Sequence, residues 1–148
     1  MSIFEAPTYD PRRARRRNLT IAGVVALVLI VAALAWFYRN YPEERVVKHF
    51  FAALENKDYE TAYAIWQADP NWKQHPQNYP NYSFGDFYQD WGPGGEWGLI
   101  RNFHIEGSAN PKDGGSGVVV VVNVNDRKEK QARIWVENKS KTLTFSPY

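Results

Sequence analysis

His49, His75 and His104 are the side chains best suited to bind a metal or to carry a proton near neutral pH. They fall in a predicted helix, a loop and a strand without paired ligand spacing, so a metal site would need three separate elements to converge. Ordinary surface or half-buried histidines account for them. Acid–base catalysis needs a positioned carboxylate with a shifted pKa. Asp58 is explained as a helix cap, and Asp86 and Asp90 stand one turn apart on what reads as a solvated helix face. The glycine-rich run Lys112-Asp113-Gly114-Gly115-Ser116-Gly117 lacks the glycine–lysine spacing and following helix of a phosphate loop, and reads as a hairpin. The chain has no cysteine, which removes disulfides, thiolate chemistry and cysteine-ligated zinc. Asn81-Tyr82-Ser83 and Asn138-Lys139-Ser140 match the glycosylation acceptor pattern, a match that matters only in a eukaryotic secretory pathway. No catalytic, cofactor-binding or metal-binding set is expected, and no cofactor.

The richest feature is the aromatic stretch over residues 72–97. Trp72, Tyr79, Tyr82, Tyr88, Trp91 and Trp97 are the candidate protein-interaction residues, because Tyr and Trp anchor interfaces when exposed. The same rings would form a local core if they turn inward, and Phe84 and Phe87 are expected to do so.

Those rings must be carried by elements, and the first is a membrane segment. Residues 19–38 read LTIAGVVALVLIVAALAWFY, without a charge. Twenty helical residues rise about 30 Å, the thickness of a bilayer's hydrocarbon core. Trp36, Phe37, Tyr38 and Tyr41 crowd its far end as an interfacial belt. Before it stand Arg12, Arg13, Arg15, Arg16 and Arg17, against Arg39 alone after it, which keeps the N-terminus cytoplasmic and offers a lipid-facing basic cluster. Ala33-Leu34-Ala35 and Arg16-Arg17-Asn18-Leu19 also fit a cleaved signal peptide. The full spanning length and the aromatic end favour an uncleaved anchor, and both readings place the rest of the chain outside the cytoplasm.

Residues 1–42 hold six basic against two acidic side chains, Glu5 and Asp10, for a net +4; the remainder holds twelve against fourteen, a net −2. A nucleic-acid-binding domain concentrates positive charge on its folded surface, so no nucleic acid partner is expected. The organisation is a basic tail over 1–18, a transmembrane helix over 19–38, and an extracytoplasmic domain over 43–148.

Within that domain, Pro42, Glu43 and Glu44 suit a helix start, and Val46, Val47, Phe50, Phe51, Ala53 and Leu54 recur at helical spacing. Asp58 caps a second helix bearing Tyr59, Ala62, Tyr63 and Trp66, and Ser83 a third bearing Phe84, Phe87, Tyr88 and Trp91, with irregular backbone over 71–82 between them. The period then falls to two. Strands are predicted over 97–106, with Leu99, Phe103 and Ile105 facing in; over 118–124, a valine run covered on both sides; over 131–137; and over 142–146. The fold class is α+β, about three helices packed on a curved four-stranded antiparallel sheet behind a transmembrane helix.

The run Val46-Val47-Lys48-His49-Phe50-Phe51-Ala52-Ala53-Leu54-Glu55-Asn56-Lys57-Asp58-Tyr59-Glu60-Thr61-Ala62-Tyr63 resembles the opening helix pair of the nuclear transport factor 2-like, or cystatin-like, superfamily: a phenylalanine helix, a "KDY" turn and an "AY" helix before a curved sheet. It covers about a sixth of the domain by residue. The resemblance implies a cone between helices and sheet, where catalytic relatives place an Asp base and a Tyr or acid; no such pair can be placed in this chain by motif. The layout is also similar to that of the inner-membrane scaffold subunit of type IV secretion systems, although this domain is shorter and shares no motif with it.

Only Arg39, Asn40, Tyr41 and Pro42 separate the span from the next helix, so the domain is tied close to the bilayer. The expected function is that of a non-catalytic, membrane-anchored accessory or scaffold subunit of a larger bacterial envelope complex. Its partners are the lipid bilayer and other membrane protein subunits. The alternative is a small-molecule-binding protein or simple acid–base enzyme using the cone, which a plug of Phe50, Phe51 and Trp66 would remove.

Overall fold

A computed structural model describes residues 11–148 and divides the chain into two compact units at the Arg39–Asn40 junction. Residues 1–10 of the basic tail, with Glu5 and Asp10, lie outside the described residues.

The first unit is the helix α1, Pro11–Phe37, 27 residues with none buried. Leu19, Leu29 and Phe37 are 64%, 64% and 80% exposed, which water would not tolerate along a whole helix. It is long and apolar enough to cross a membrane. The helix starts before the oily run and includes all five clustered arginines. Arginine is a good helix former, and Pro11 at the first position gives up no hydrogen bond. The hydroxyl of Thr20 donates to the Arg16 carbonyl at 3.0 Å, so the span's polar aliphatic side chain is satisfied within its own helix. At the other end the Arg39 guanidinium lies 4.3 Å from the centre of the Trp36 ring, a cation on the aromatic belt.

The second unit is α+β. Helix α2, Tyr41–Glu55, has Pro42 in its first turn with Glu43 and Glu44, and buries Val47, Phe50, Phe51, Ala53 and Leu54 on one face. Glu43 is also buried and forms an ion pair with Lys141 in the hairpin before the last strand, while Ser108 donates to Glu44 at 2.5 Å. The start of the helix is thereby fastened to both outer strands. Asp58 caps α3, Tyr59–Gln67, by accepting from the Thr61 amide at 3.1 Å. Two 3-10 turns, Trp72–Gln74 and Pro76–Asn78, precede α4, Phe84–Trp91, which begins on a Ser83–Asp86 capping box. After α4 the chain folds back so closely that a Cβ on Gly95 would fall 2.0 Å from the Asp90 carbonyl oxygen.

Strands β1 (Phe103–Ala109), β2 (Gly117–Val124), β3 (Gln131–Glu137) and β4 (Leu143–Phe145) form an open antiparallel sheet in sequence order. Asn125 and Asp126 both adopt positive φ, 53° and 56°, and the Arg127 amide donates to the Val124 carbonyl at 3.1 Å. This is the mirror-image turn that matches strand twist.

Two expectations change. Residues 97–102 are not strand: Gly98 turns the chain at φ 62°, and β1 starts only at Phe103. That shift reverses the parity, so Ile100 is buried and Leu99 is 41% exposed. The valine strand is covered by helices on one side. Val118, Val120, Val122 and Val124 are no more than 1% exposed and join the core with α2 and α3, whereas on the other face Val119 is 9% exposed and Val121 half-buried. The opposite face is roofed in part by the Trp135 ring. It lies so close to Gly117 that a Cβ there would meet its Cε2 at 2.5 Å, and Tyr148 packs on it with centroids 5.8 Å apart.

Candidate interaction surface

Tyr63 of α3 organises the aromatic stretch. Its hydroxyl donates to the Tyr82 carbonyl at 2.7 Å, and its ring centroid lies 4.8 Å from Trp72, 5.5 Å from Phe84 and 5.2 Å from Phe87. Trp72 and Phe84 stack at 5.1 Å. Irregular backbone is thus wrapped on one buried ring.

Polar groups tie down the same segment. Asp69 accepts from the Tyr79 hydroxyl at 2.5 Å, bonds the His75 ring at 2.6 Å, and accepts from the Asn71 amide at 2.9 Å. The Tyr79 hydroxyl, more than any other contact, holds this carboxyl below the usual aspartate range; Asp69 in turn pushes the Tyr79 phenol up to about 12. Tyr82 donates to Asp90 at 2.9 Å, and burial, with that bond, raises its phenol. Asp86 is held low by Ser83 of the capping box. Asp86 and Asp90 are therefore structural partners rather than a bare solvated pair.

Of the six candidate rings, Trp91 and Trp97 are in the core, 2% and 6% exposed. Trp91 lies 5.1 Å from Phe50 and 5.7 Å from Phe51, and Trp97 is flanked by the cations of Arg127 and Lys130 at 5.9 and 5.8 Å. Their surface is spent on the fold. Trp72, Tyr79 and Tyr82 are half-buried, and Tyr88 is 45% exposed. Tyr88 meets Tyr59 edge-to-face at 5.0 Å beside a shallow cleft of about 440 Å³ lined by Lys57, Asp58, Tyr59, Glu60, Phe84 and Tyr88. Glu60 at its rim pairs with Lys73. Phe84 packs half-buried against the core, as expected of an inward ring, and Tyr59, also half-buried, is not legible in the sequence as a neighbour of Tyr88. Tyr59 and Tyr88 stand on different helices, so nothing in their spacing shows that they meet.

No family model, no curated protein and no solved structure matches this chain. Function therefore rests on geometry.

The space between helices and sheet is filled with rings. Phe50 lies 5.2 Å from Phe51, 5.3 Å from Trp66 and 6.1 Å from Phe87, and Trp66 lies 5.6 Å from Trp91. Phe145, 51% exposed, closes the end of the stack at 5.1 Å from Trp66 and 5.9 Å from Trp91. His49 and His104 are exposed on α2 and β1, away from the His75 cluster in the loop, and among the described residues no three His, Asp or Glu side chains gather as metal ligands. Arg12, Arg13, Arg15, Arg16 and Arg17 are all exposed along the first turns of α1.

Proposed function

We propose that this chain is a membrane-anchored accessory or scaffold subunit that works by protein contacts rather than by chemistry. The observation that carries the reading is the distribution of rings: large aromatics fill the layer where a ligand cone would open, while Tyr88 is exposed beside the half-buried Tyr59 and Phe84 around a cleft. An exposed tyrosine on a packed helix suits an interface anchor. Helix α1 crosses the cell's inner membrane once. Its arginines stay on the cytoplasmic side against anionic lipid, and the domain stands in the periplasm or outside the cell, kept beside the bilayer by its short tether. Its partners are other membrane protein subunits. The helix pair α2–α3 ahead of an antiparallel meander supports a nuclear transport factor 2-like arrangement, used here as a scaffold. The pocket alternative gains no support from an interior plugged by Phe50, Phe51 and Trp66.

The test is purification of the full chain from its native membrane in mild detergent, followed by native electrophoresis. The wild type is expected to migrate with larger proteins. Tyr88→Ala is expected to weaken that association by about thirtyfold, the scale of a 2 kcal/mol anchor, while lowering the melting temperature by only a few degrees. A strictly monomeric wild type would refute the reading.

A further inference from the structure

A second cleft, of about 630 Å³, opens between the β2–β3 turn and the segment before β1. Trp97, Leu99, Arg101, Asn125, Asp126 and Arg127 line it. Its wall is held rigidly by one side chain. The Asn125 amide donates to the carbonyls of Trp97 at 3.2 Å and Leu99 at 2.9 Å, and its oxygen accepts from the Arg101 amide at 2.8 Å. The Asn125 main-chain amide adds a bond to the Asn102 carbonyl at 3.0 Å.

The charges here are unequally committed. Asp126 accepts from the Asn102 side chain at 3.0 Å, Glu96 pairs with Lys130, and Arg127 gives one guanidinium hydrogen to the Glu96 carbonyl at 3.2 Å. Arg101 is exposed, and while its main-chain amide is held by Asn125, its guanidinium has no hydrogen bond or ion pair among the described residues. The lining thus carries two guanidiniums against one carboxylate that is already engaged. Beside Arg101, the same fixed segment holds Leu99 out at 41% exposure.

We propose that this cleft seats a carboxylate side chain of an acidic partner segment. Arg101 takes the carboxylate, Arg127 supplies its remaining donors, and Leu99 covers an apolar neighbour on the partner. A bidentate guanidinium–carboxylate pair suits a planar two-oxygen ligand. A phosphate would call for several donors converging from all sides, whereas this cleft offers an apolar wall. The site is separate from the aromatic cleft on α3 and α4 and goes beyond the contacts assigned there.

The experiment uses the full chain, isotope-labelled in detergent micelles, titrated with the blocked tripeptide Glu-Leu-Glu, with Gln-Leu-Gln and with inorganic phosphate. Glu-Leu-Glu is expected to shift the Trp97 indole and Gly98 amide resonances saturably. Binding should weaken about tenfold or more with Gln-Leu-Gln and in Arg101→Gln, and severalfold in Leu99→Ser. Both variants alter exposed side chains, so unchanged spectra elsewhere verify the fold. The proposal is overturned if neither resonance moves, if the two peptides bind equally, or if phosphate saturates the same resonances more tightly than Glu-Leu-Glu.

Discussion

Phe50 and Tyr88 show how aromatic rings are put to two uses in this domain. Phe50 is fully buried and meets Phe51, Trp66, Phe87 and Trp91 at 5.1–6.1 Å, so truncation leaves a cavity ringed by stiff side chains that cannot close over it. Phe50→Ala is expected to cost about 3–5 kcal/mol, read as a fall in the denaturant midpoint by tryptophan fluorescence. Tyr88 is already 45% exposed and sits at the edge of its cluster, so Tyr88→Ala is expected to cost less than about 1 kcal/mol. A comparable cost for the two would mean that Tyr88 belongs to the core. Gly117 is the backbone counterpart: a Cβ there would stand 2.4 Å from the Val136 carbonyl oxygen as well as against the Trp135 ring, so no larger residue fits without moving β3.

The elements differ in how far the sequence reveals them. Helices α2, α3 and α4 are legible because spacing, caps and breakers agree locally: Asp58 before Tyr59, Ser83 with Asp86, Gly92 after Trp91. Residues 97–102 are not, because their path is set by Asn125, more than twenty residues along the chain. A strand period extrapolated through them puts Leu99 and Ile100 on the wrong sides. Composition marks 72–97 as aromatic, but nothing local decides that Trp91 turns inward and Tyr88 outward. The loop before α4 has its own switch. Asp69 has a carboxyl held below its ordinary 3.8, so its contribution is complete above that value and is lost as pH falls through the lowered one. Tyr79 and His75 then lose their acceptor. Protection of the 70–82 amides, their exchange rate relative to the intrinsic rate at each pH, is expected to hold down to about pH 4 and to fall below it. Asp69→Asn should exchange faster even at neutral pH and lose that dependence. Asp58 and Asp86, also held low, act at the caps of α3 and α4, so a loop response unchanged in Asp69→Asn would assign it to them instead.

At the scale of the whole chain, charge and apolar length divide the molecule in the same place. The exposed helix α1 carries the arginine cluster at one end and the Trp36–Arg39 pair at the other. Five arginines at about 1 kcal/mol each near an anionic leaflet outweigh the one that follows the span. This imbalance favours the orientation with the head translocated. Because the chain has no cysteine, single introduced thiols report sidedness without background. In intact cells a membrane-impermeant maleimide is expected to label Lys128→Cys, on the exposed β2–β3 connection, and to reach Ser2→Cys only after permeabilisation. Replacing Arg12, Arg13, Arg15, Arg16 and Arg17 with asparagine should mix the two patterns, since the charge bias is removed while the oily length is kept. The mass of the labelled chain should include α1. A shortened species released into solution would identify the segment as a removed leader, and labelling of Ser2→Cys alone in intact cells would mean that the head faces the cytoplasm.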